Sequence, residues 1–431
     1  MTTTPLDNEQ VLQLKQDFPL LTETQVAGHP LVYLDTGATS QVPLPVADAE
    51  RDFTLRHRAA VHRGAHTLAV EATDFFEDAR ATVSRFVGAD PYSLVWTSNA
   101  TEGLNLLSYA MSNATAGSNG SENAERFRVG PGDEIVTTQA EHHANLIPWQ
   151  ELAARTGATL RVVPVNERGL ITPQAVANTL SDRTKLVAFT HVSNVTGAIT
   201  DVPGVVAEAQ KVGALTVLDA CQSVPHMPID FPALGVDFAV FSAHKMLGPT
   251  GIGALYGRRE LLNALPTFLT GGSMITKVTT EHARYLDSPV RFEAGTQRIS
   301  QAVAWAEAVR YLEQIGMNRI EAWEAELGGR LARGITEIDG VRLLGPEPGV
   351  ERVGLASIDV AGVHAHDVGQ LLDVAGIAVR VGHHCAQPLH RELGLTASTR
   401  ASTYLYNTTD DVDRFLDELP RVRGYFRAEG A

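Results

Sequence analysis

The sequence predicts an α/β fold: a large, mostly parallel sheet covered by helices, followed by a smaller α+β domain. Three observations carry that expectation. Short apolar segments alternate with amphipathic helical stretches over the first two-thirds of the chain. The apolar segments are rich in Val, Leu and Ile, as strands buried on both faces are. The pattern then changes near Gly295, where a long helical run leads into shorter strands.

The strands expected in the first part are 31–34, 93–97, 133–138, 161–164, 185–190, 215–219, 238–242 and 253–256. Helical stretches between them include 70–86, 144–155, 173–180 and 203–212. In the second part a helical run over 301–338 precedes strands at 342–344, 354–360, 378–381 and 401–406, and a closing helix over 410–422. Residues 28–294 are expected to form the large domain. Residues 295–431, packed with 1–27, are expected to form the small one. The chain has no evident internal repeat.

At 431 residues the chain exceeds one ordinary core. Hydrophobic residues at 44% and charged residues at 20% predict a soluble globular protein. The net charge of -15 argues against nucleic acid and anionic membrane as partners, because both need a basic face. It leaves room for an anionic small ligand in a local pocket. Two cysteines, Cys221 and Cys385, make no disulfide framework and favour a reducing cytosol. Residues 1–18 have no signal-peptide core, and no apolar run is long enough for a membrane span. Residues 112–126, rich in Asn, Ser, Gly and Ala, are expected to be a mobile surface insertion.

Ligands of open α/β sheets bind beyond the carboxyl ends of strands. Lys245 follows one such end, in Phe241-Ser242-Ala243-His244-Lys245, and Asp219 closes another. A lysine amine and a carboxylate so placed can hold the two reactive ends of pyridoxal phosphate (PLP). At about 4 Å and an effective dielectric near 20, a carboxylate attracts a protonated ring nitrogen by roughly 4 kcal/mol. That is about three pK units, enough to keep the ring electron-withdrawing. The plainer readings are a surface lysine and a helix-capping aspartate.

Ser98-Asn99-Ala100-Thr101-Glu102 opens a helix, so Thr101 and nearby amides suit a phosphate, with Ser242 and His244 beside them. An ordinary N-cap is the alternative. His142, in Glu141-His142-His143-Ala144-Asn145, can stack on a cofactor ring and shuttle protons. Metal binding is the rival, but adjacent histidines point in different directions. Arg400 offers a fork for a carboxylate. Cys385 follows Arg380-Val381-Gly382-His383-His384, and nearby positive charge favours a reactive thiolate. Zinc at His383, His384 and Cys385 lacks an evident fourth ligand. Cys221 reads as an inert buried residue.

Together these segments resemble the class V aminotransferase-like PLP enzymes of fold type I, and within them the SUF-type (group II) cysteine desulfurases. The resemblance covers nearly the whole chain. It is carried by Tyr33-Leu34-Asp35, His62-Arg63-Gly64-Ala65-His66, Ala100-Thr101-Glu102-Gly103, the 141–145 segment, His191-Val192-Ser193-Asn194, the Lys245 stretch, Arg291-Phe292-Glu293-Ala294-Gly295-Thr296 and 380–385.

The resemblance implies that Lys245 anchors PLP and moves a proton, and that Asp219 pairs with its ring nitrogen. It assigns Gln222 and Asn194 to the phenolic oxygen and His142 to the ring face. Thr101, Ser242 and His244 would bind phosphate, with Glu102 among the cofactor residues and Thr296 coming from a second subunit of a homodimer. Arg400 and Asn194 would hold the carboxylate of L-cysteine, and His62 and Arg380 would line the entrance. Cys385 would take the sulfur as a persulfide, leaving L-alanine, for iron–sulfur cluster assembly. No catalytic metal is implied. His366 implies a zinc-bearing sulfur acceptor of the SufU type rather than the SufE type, or else is a plain helix-start histidine. A selenocysteine lyase of the same fold is the near alternative, and a non-catalytic sulfur carrier or zinc module the distant one.

Overall fold

The computed structural model describes residues 4–429. Its centre is a seven-stranded sheet: β1 (Leu94–Thr97), β2 (Glu134–Thr138), β3 (Thr159–Val163), β4 (Thr184–Thr190), β5 (Leu215–Asp219), β6 (Phe238–Ser242) and β7 (Gly253–Gly257). The spatial order is β1-β7-β6-β5-β4-β2-β3. β7 runs antiparallel to β1 and β6, and the other neighbours are parallel. The link 243–252 explains that reversal, since a parallel crossover needs roughly a dozen residues or more. Each of these strands lies within two residues of its expected position.

The expected strand at 31–34 has a different fate. Val32–Tyr33 pairs in parallel with Ile377–Ala378, far along the chain. The N–H groups of Val32 and Leu34 donate to the carbonyls of Gly376 and Ala378, at 2.8 and 2.9 Å. The N-terminal segment is thus stitched to the C-terminal part. Lys15 pairs with Asp411 at 3.4 Å, and Tyr311 donates its hydroxyl to Asp17 at 2.8 Å.

The helical run over 301–338 is two helices, not one. α3 (Ile299–Ile315) ends at Gly316, whose φ of 96° no other residue type adopts readily, and α4 (Met317–Glu337) follows. α3 packs along α1 (Thr67–Phe86) over one face of the sheet. Trp305 of α3 stands 5.3 Å from Phe241 and 5.4 Å from Trp96, ring centre to ring centre. A second sheet, order β8-β9-β11-β10, is antiparallel throughout: β8 (Val341–Leu344), β9 (Leu355–Val360), β10 (Arg380–Gly382) and β11 (Ser398–Ser402). α5 (Ala365–Val374) and α6 (Thr409–Glu429) complete this part.

Two expectations here are corrected. The segment 378–381 is broken, pairing first with the N-terminal segment and then with β11. The segment 401–406 is a strand only over Ser398–Ser402. Beyond it Asn407 Oδ1 accepts from the N–H of Tyr404 at 2.9 Å and bends the chain inward, burying Tyr404 and Tyr406. The shift puts Arg400 in mid-strand.

The segment 112–126 is not a free surface insert. α2 (Ala100–Ala116) continues through its first residues and stops at Gly117. Ser121 and Ala124 are buried. Asn119 donates to the carbonyl of Ala283 at 3.1 Å, and Arg291 donates to that of Gly120 at 2.8 Å. The segment is therefore packed on the hairpin Ile275–Val278/Ala283–Tyr285. No helix among the described residues is long and apolar enough to cross a membrane.

Candidate active site

The carboxyl ends of β4, β5 and β6 open onto one cavity of about 560 Å³. Lys245, Asp219, Gln222, Asn194, His142, Thr101, Ser242, His244, Arg380, Arg400 and Cys385 all line it. These residues span most of the chain.

The cavity floor follows from the strand ends. Asp219 closes β5, and its Oδ1 accepts the N–H of Cys221 at 3.0 Å, which fixes the carboxylate. Lys245 lies on the single turn after β6. The carbonyl of His244 in that turn accepts from the N–H of Ser40 at 2.8 Å and from the hydroxyl of Thr39 at 3.1 Å, so the N-terminal segment pins the lysine turn. Gln222 donates to the carbonyl of Gly37 at 2.7 Å. Burial pushes the Cys221 thiol well up, so this cysteine stays protonated, as the sequence suggests.

At one end of the cavity, α2 starts over β7. Asn99 caps it, accepting the N–H of Glu102 at 2.9 Å, and Ser242 Oγ accepts the N–H of Ala100 at 2.9 Å. Gly253 lets β7 pass beneath: a Cβ there would lie 2.5 Å from the Cα of Asn99. A helix start with Asn99, Ala100 and Thr101 on the cavity wall suits a phosphate. Burial, helped by Lys245, lowers His244 to about 4, so near neutrality it offers an N–H rather than a charge.

His142 is also held neutral, lowered to about 4 by burial first and then by Lys245. Its Nδ1 accepts the N–H of Ala144 at 3.1 Å, so the ring proton sits on Nε2. Behind it Glu141 is fully buried, accepting from Thr138 and Asn145 at 2.6 Å each and from the N–H of Thr190 at 3.0 Å. Burial, with Asp219 adding to it, raises Glu141 to about 8.

On the opposite wall Arg400 is 3% exposed. It donates to the carbonyl of Asn194 at 2.8 Å and lies 3.5 Å from Asp35. Burial lowers it to about 10, still charged at neutral pH. Arg380 pairs with the other oxygen of Asp35 at 3.1 Å. Gly37 lies against the guanidinium, where a Cβ would come within 3.1 Å of Arg400 Cζ.

Cys385 is exposed, on a loop whose His384 and Cys385 both have positive φ, 48° and 55°. Each such residue costs about 1 kcal/mol or more and needs outside support. Asn194 Nδ2 donates to the carbonyl of His384 at 2.7 Å. His390 Nδ1 must donate to the carbonyl of Ala386, at 3.0 Å, since a carbonyl only accepts. Its Nε2 then accepts from Ser398, at 2.9 Å, and Ser398 accepts from His384 Nε2 at 3.0 Å. Burial, followed by Arg400, lowers His384 to about 2, consistent with that neutral chain. The positive charge expected near Cys385 therefore comes from arginine rather than from His384.

Four expected residues lie outside the cavity. The carboxylate of Glu102 is turned back onto the N–H and hydroxyl of Ser98, with Arg298 3.5 Å away. The ring of His62 is taken by Glu77 at 2.8 Å. Thr296 is exposed. His366 is exposed at the start of α5. Sequence reasoning assigned no task to Asp35, Gly37 or Glu141. Nothing local in the sequence marks these three, since the arginines beside Asp35 are more than 300 residues away along the chain. Among the described residues, no group of three or more His, Cys, Asp or Glu is placed to hold a metal.

The family model for class V aminotransferases matches residues 32–415. The chain belongs to the class V aminotransferase family. Within that family it falls with the cysteine desulfurases. It is 53% identical over 429 residues, covering 100% of both chains, to probable cysteine desulfurase 2 of Mycobacterium leprae. The apo structure of cysteine desulfurase from Thermococcus onnurineus NA1 superposes with a TM-score of 0.88 at 36% identity, over 98% of this chain and 100% of that one. The cysteine desulfurase CsdA from Escherichia coli gives 0.85 at 34%, over 96% and 98%. Class V aminotransferases are PLP enzymes, and the cavity residues fit that cofactor. Asp219 and Lys245 share the floor, a helix start with Ser242 lies at one end, and the buried Gln222 Oε1 has no protein partner.

Proposed function

We propose that this chain is a cysteine desulfurase that converts L-cysteine to L-alanine and keeps the sulfur as a persulfide on Cys385. The observation that carries the reading is the meeting of Lys245, Asp219, His142, Arg400 and Cys385 on one cavity. PLP, when bound, would draw electrons from the substrate α-carbon and so weaken the adjacent bond between the β-carbon and sulfur.

The chain's own groups account for the rest. Lys245 anchors the cofactor and carries a proton from the α-carbon. Asp219 holds a proton on the ring nitrogen, and the neutral His142 covers the ring face. Thr101, Ser242, His244 and the start of α2 hold the phosphate, with Thr296 contributed by a second subunit. Gln222 and Asn194 serve the phenolic oxygen. The fork of Arg400 takes the substrate carboxylate. Cys385 Sγ attacks the substrate sulfur: an S–S bond forms, the C–S bond breaks, and a proton completes the methyl group of alanine. Cysteine plus thiol thus becomes alanine plus persulfide.

The exposed His366 supports a zinc-bearing acceptor of the SufU type, one whose metal can accept an imidazole, feeding iron–sulfur cluster assembly. The two free thiols support a reducing, cytosolic setting.

Mass spectrometry after incubation with L-cysteine tests the reading. One added sulfur atom on the peptide bearing Cys385 is expected. Cys385→Ala should keep the absorbance of bound PLP and lose alanine formation. Full turnover by that variant would refute the role of Cys385.

A further inference from the structure

The loop that presents Cys385 is held by a residue outside the cavity wall. The backbone N–H of His143 donates to the carbonyl of Cys385 at 2.6 Å. The ring of the same residue accepts at Nε2 from the N–H of Gln387, at 3.2 Å. One histidine therefore grips the chain at the nucleophile and again two residues beyond it. This loop needs such a grip, because His384 and Cys385 sit consecutively in the left-handed region.

His143 is also bonded in sequence to His142, which lines the cavity. The two rings diverge, with centres 6.4 Å apart and planes at 48°. One ring faces the cofactor pocket, and the other faces the nucleophile loop, 5.7 Å from the ring of His383. Burial, with His383 adding to it, keeps His143 below its ordinary value, which suits a ring nitrogen that must accept.

Resting on the desulfurase reading above, we propose that His143 is a positioning residue that sets the distance between Cys385 and the cofactor pocket. The ring face and the nucleophile are then located by one dipeptide, though Cys385 is remote in sequence. Nothing in the roles given to the cavity residues requires His143.

The test uses PLP-loaded enzyme and three readouts. His143→Ala removes the ring acceptor and leaves the backbone N–H. His143→Gln returns an acceptor oxygen near the place of Nε2. For His143→Ala, bound-PLP absorbance and KM for L-cysteine should be unchanged, while single-turnover persulfide formation on Cys385 slows by about ten- to a hundred-fold. Hydrogen exchange at the Gln387 amide should accelerate in the same variant. His143→Gln should restore both the rate and the protection. A wild-type persulfide rate in His143→Ala would overturn the proposal, as would loss of bound PLP in both variants, which would mark a general structural role. Absence of persulfide in the wild type would instead defeat the desulfurase reading.

Discussion

Oδ1 of Asp35 lies 3.5 Å from the buried guanidinium of Arg400. The pair joins the end of the N-terminal segment to the middle of β11 and leaves Arg400 charged on the cavity wall. A lysine cannot copy its planar fork. Arg400→Lys should therefore raise KM for L-cysteine by roughly ten-fold or more, as loss of one charge-assisted hydrogen bond of about 1.5–3 kcal/mol requires. Steady-state kinetics decides it, and an unchanged KM would remove Arg400 from carboxylate binding.

Lys245 lies in the turn after β6 and shares the cavity floor with Asp219. Lys245→Ala should abolish the visible band of lysine-bound PLP and all turnover. A spectrum identical to the wild type would reject the anchor.

Arg80 and Glu293 form a buried pair, with guanidinium-to-carboxylate contacts of 2.7 and 2.8 Å. Glu293 also accepts the N–H of Trp96 at 2.8 Å, so it ties α1, β1 and the segment leading to Thr296. Glu293→Leu leaves the buried guanidinium with Glu77, 3.0 Å away, as its remaining carboxylate partner and should cost about 3 kcal/mol or somewhat less. Adding Arg80→Met should recover part of that loss. Urea denaturation of the single and double variants measures both, and a double variant weaker than the single one contradicts the account.

His142 and His191 are both lowered by burial to about 4, from an ordinary 6.5. Between those values the unfolded chain takes up protons that the folded chain refuses. Their contribution to stability therefore rises with pH across this window, is lost as pH falls from 6.5 toward 4, and levels off below, while Glu141, raised to about 8, works in the opposite direction. Unfolding free energies at pH 7 and pH 5 should show the drop, and His191→Asn should show a smaller one. An equal drop in the variant would exclude His191 as a source.

His366 is exposed on α5, which packs on β10 and β11 near the Cys385 loop. His366→Ala should lower acceptor-stimulated turnover with a zinc-bearing acceptor and leave turnover with L-cysteine and a small reductant nearly unchanged. Equal loss in both assays would count against docking through His366.

The sheet was legible because apolar runs such as Leu215–Asp219 and Phe238–Ser242 are buried along their whole length. Asp219 and Lys245 were legible because polar residues directly after such runs stand where ligands bind. Strands at 31–34 and 378–381 were both visible, but the pairing of Val32–Tyr33 with Ile377–Ala378 was not, since contact between remote segments leaves no trace in either one. Glu102 was placed among the cofactor residues from its position at a helix start, which does not say which way the carboxylate turns, and Ser98 holds that carboxylate. The segment 112–126 was misread because a polar composition hides hydrogen bonds to Ala283 and Arg291.

By itself, the sequence determined the α/β layering, the lysine and aspartate at two strand ends, and a cysteine on a glycine- and histidine-rich loop. Those are local properties, written in periodicity and in the residues that end each strand. Only the tertiary structure decided that Asp35 stands by Arg400, that Asn194 and His143 hold the backbone of the Cys385 loop, and that Glu293 closes on Arg80. These are contacts between residues remote in sequence, and they depend on the spatial order of strands and the packing of helices over them.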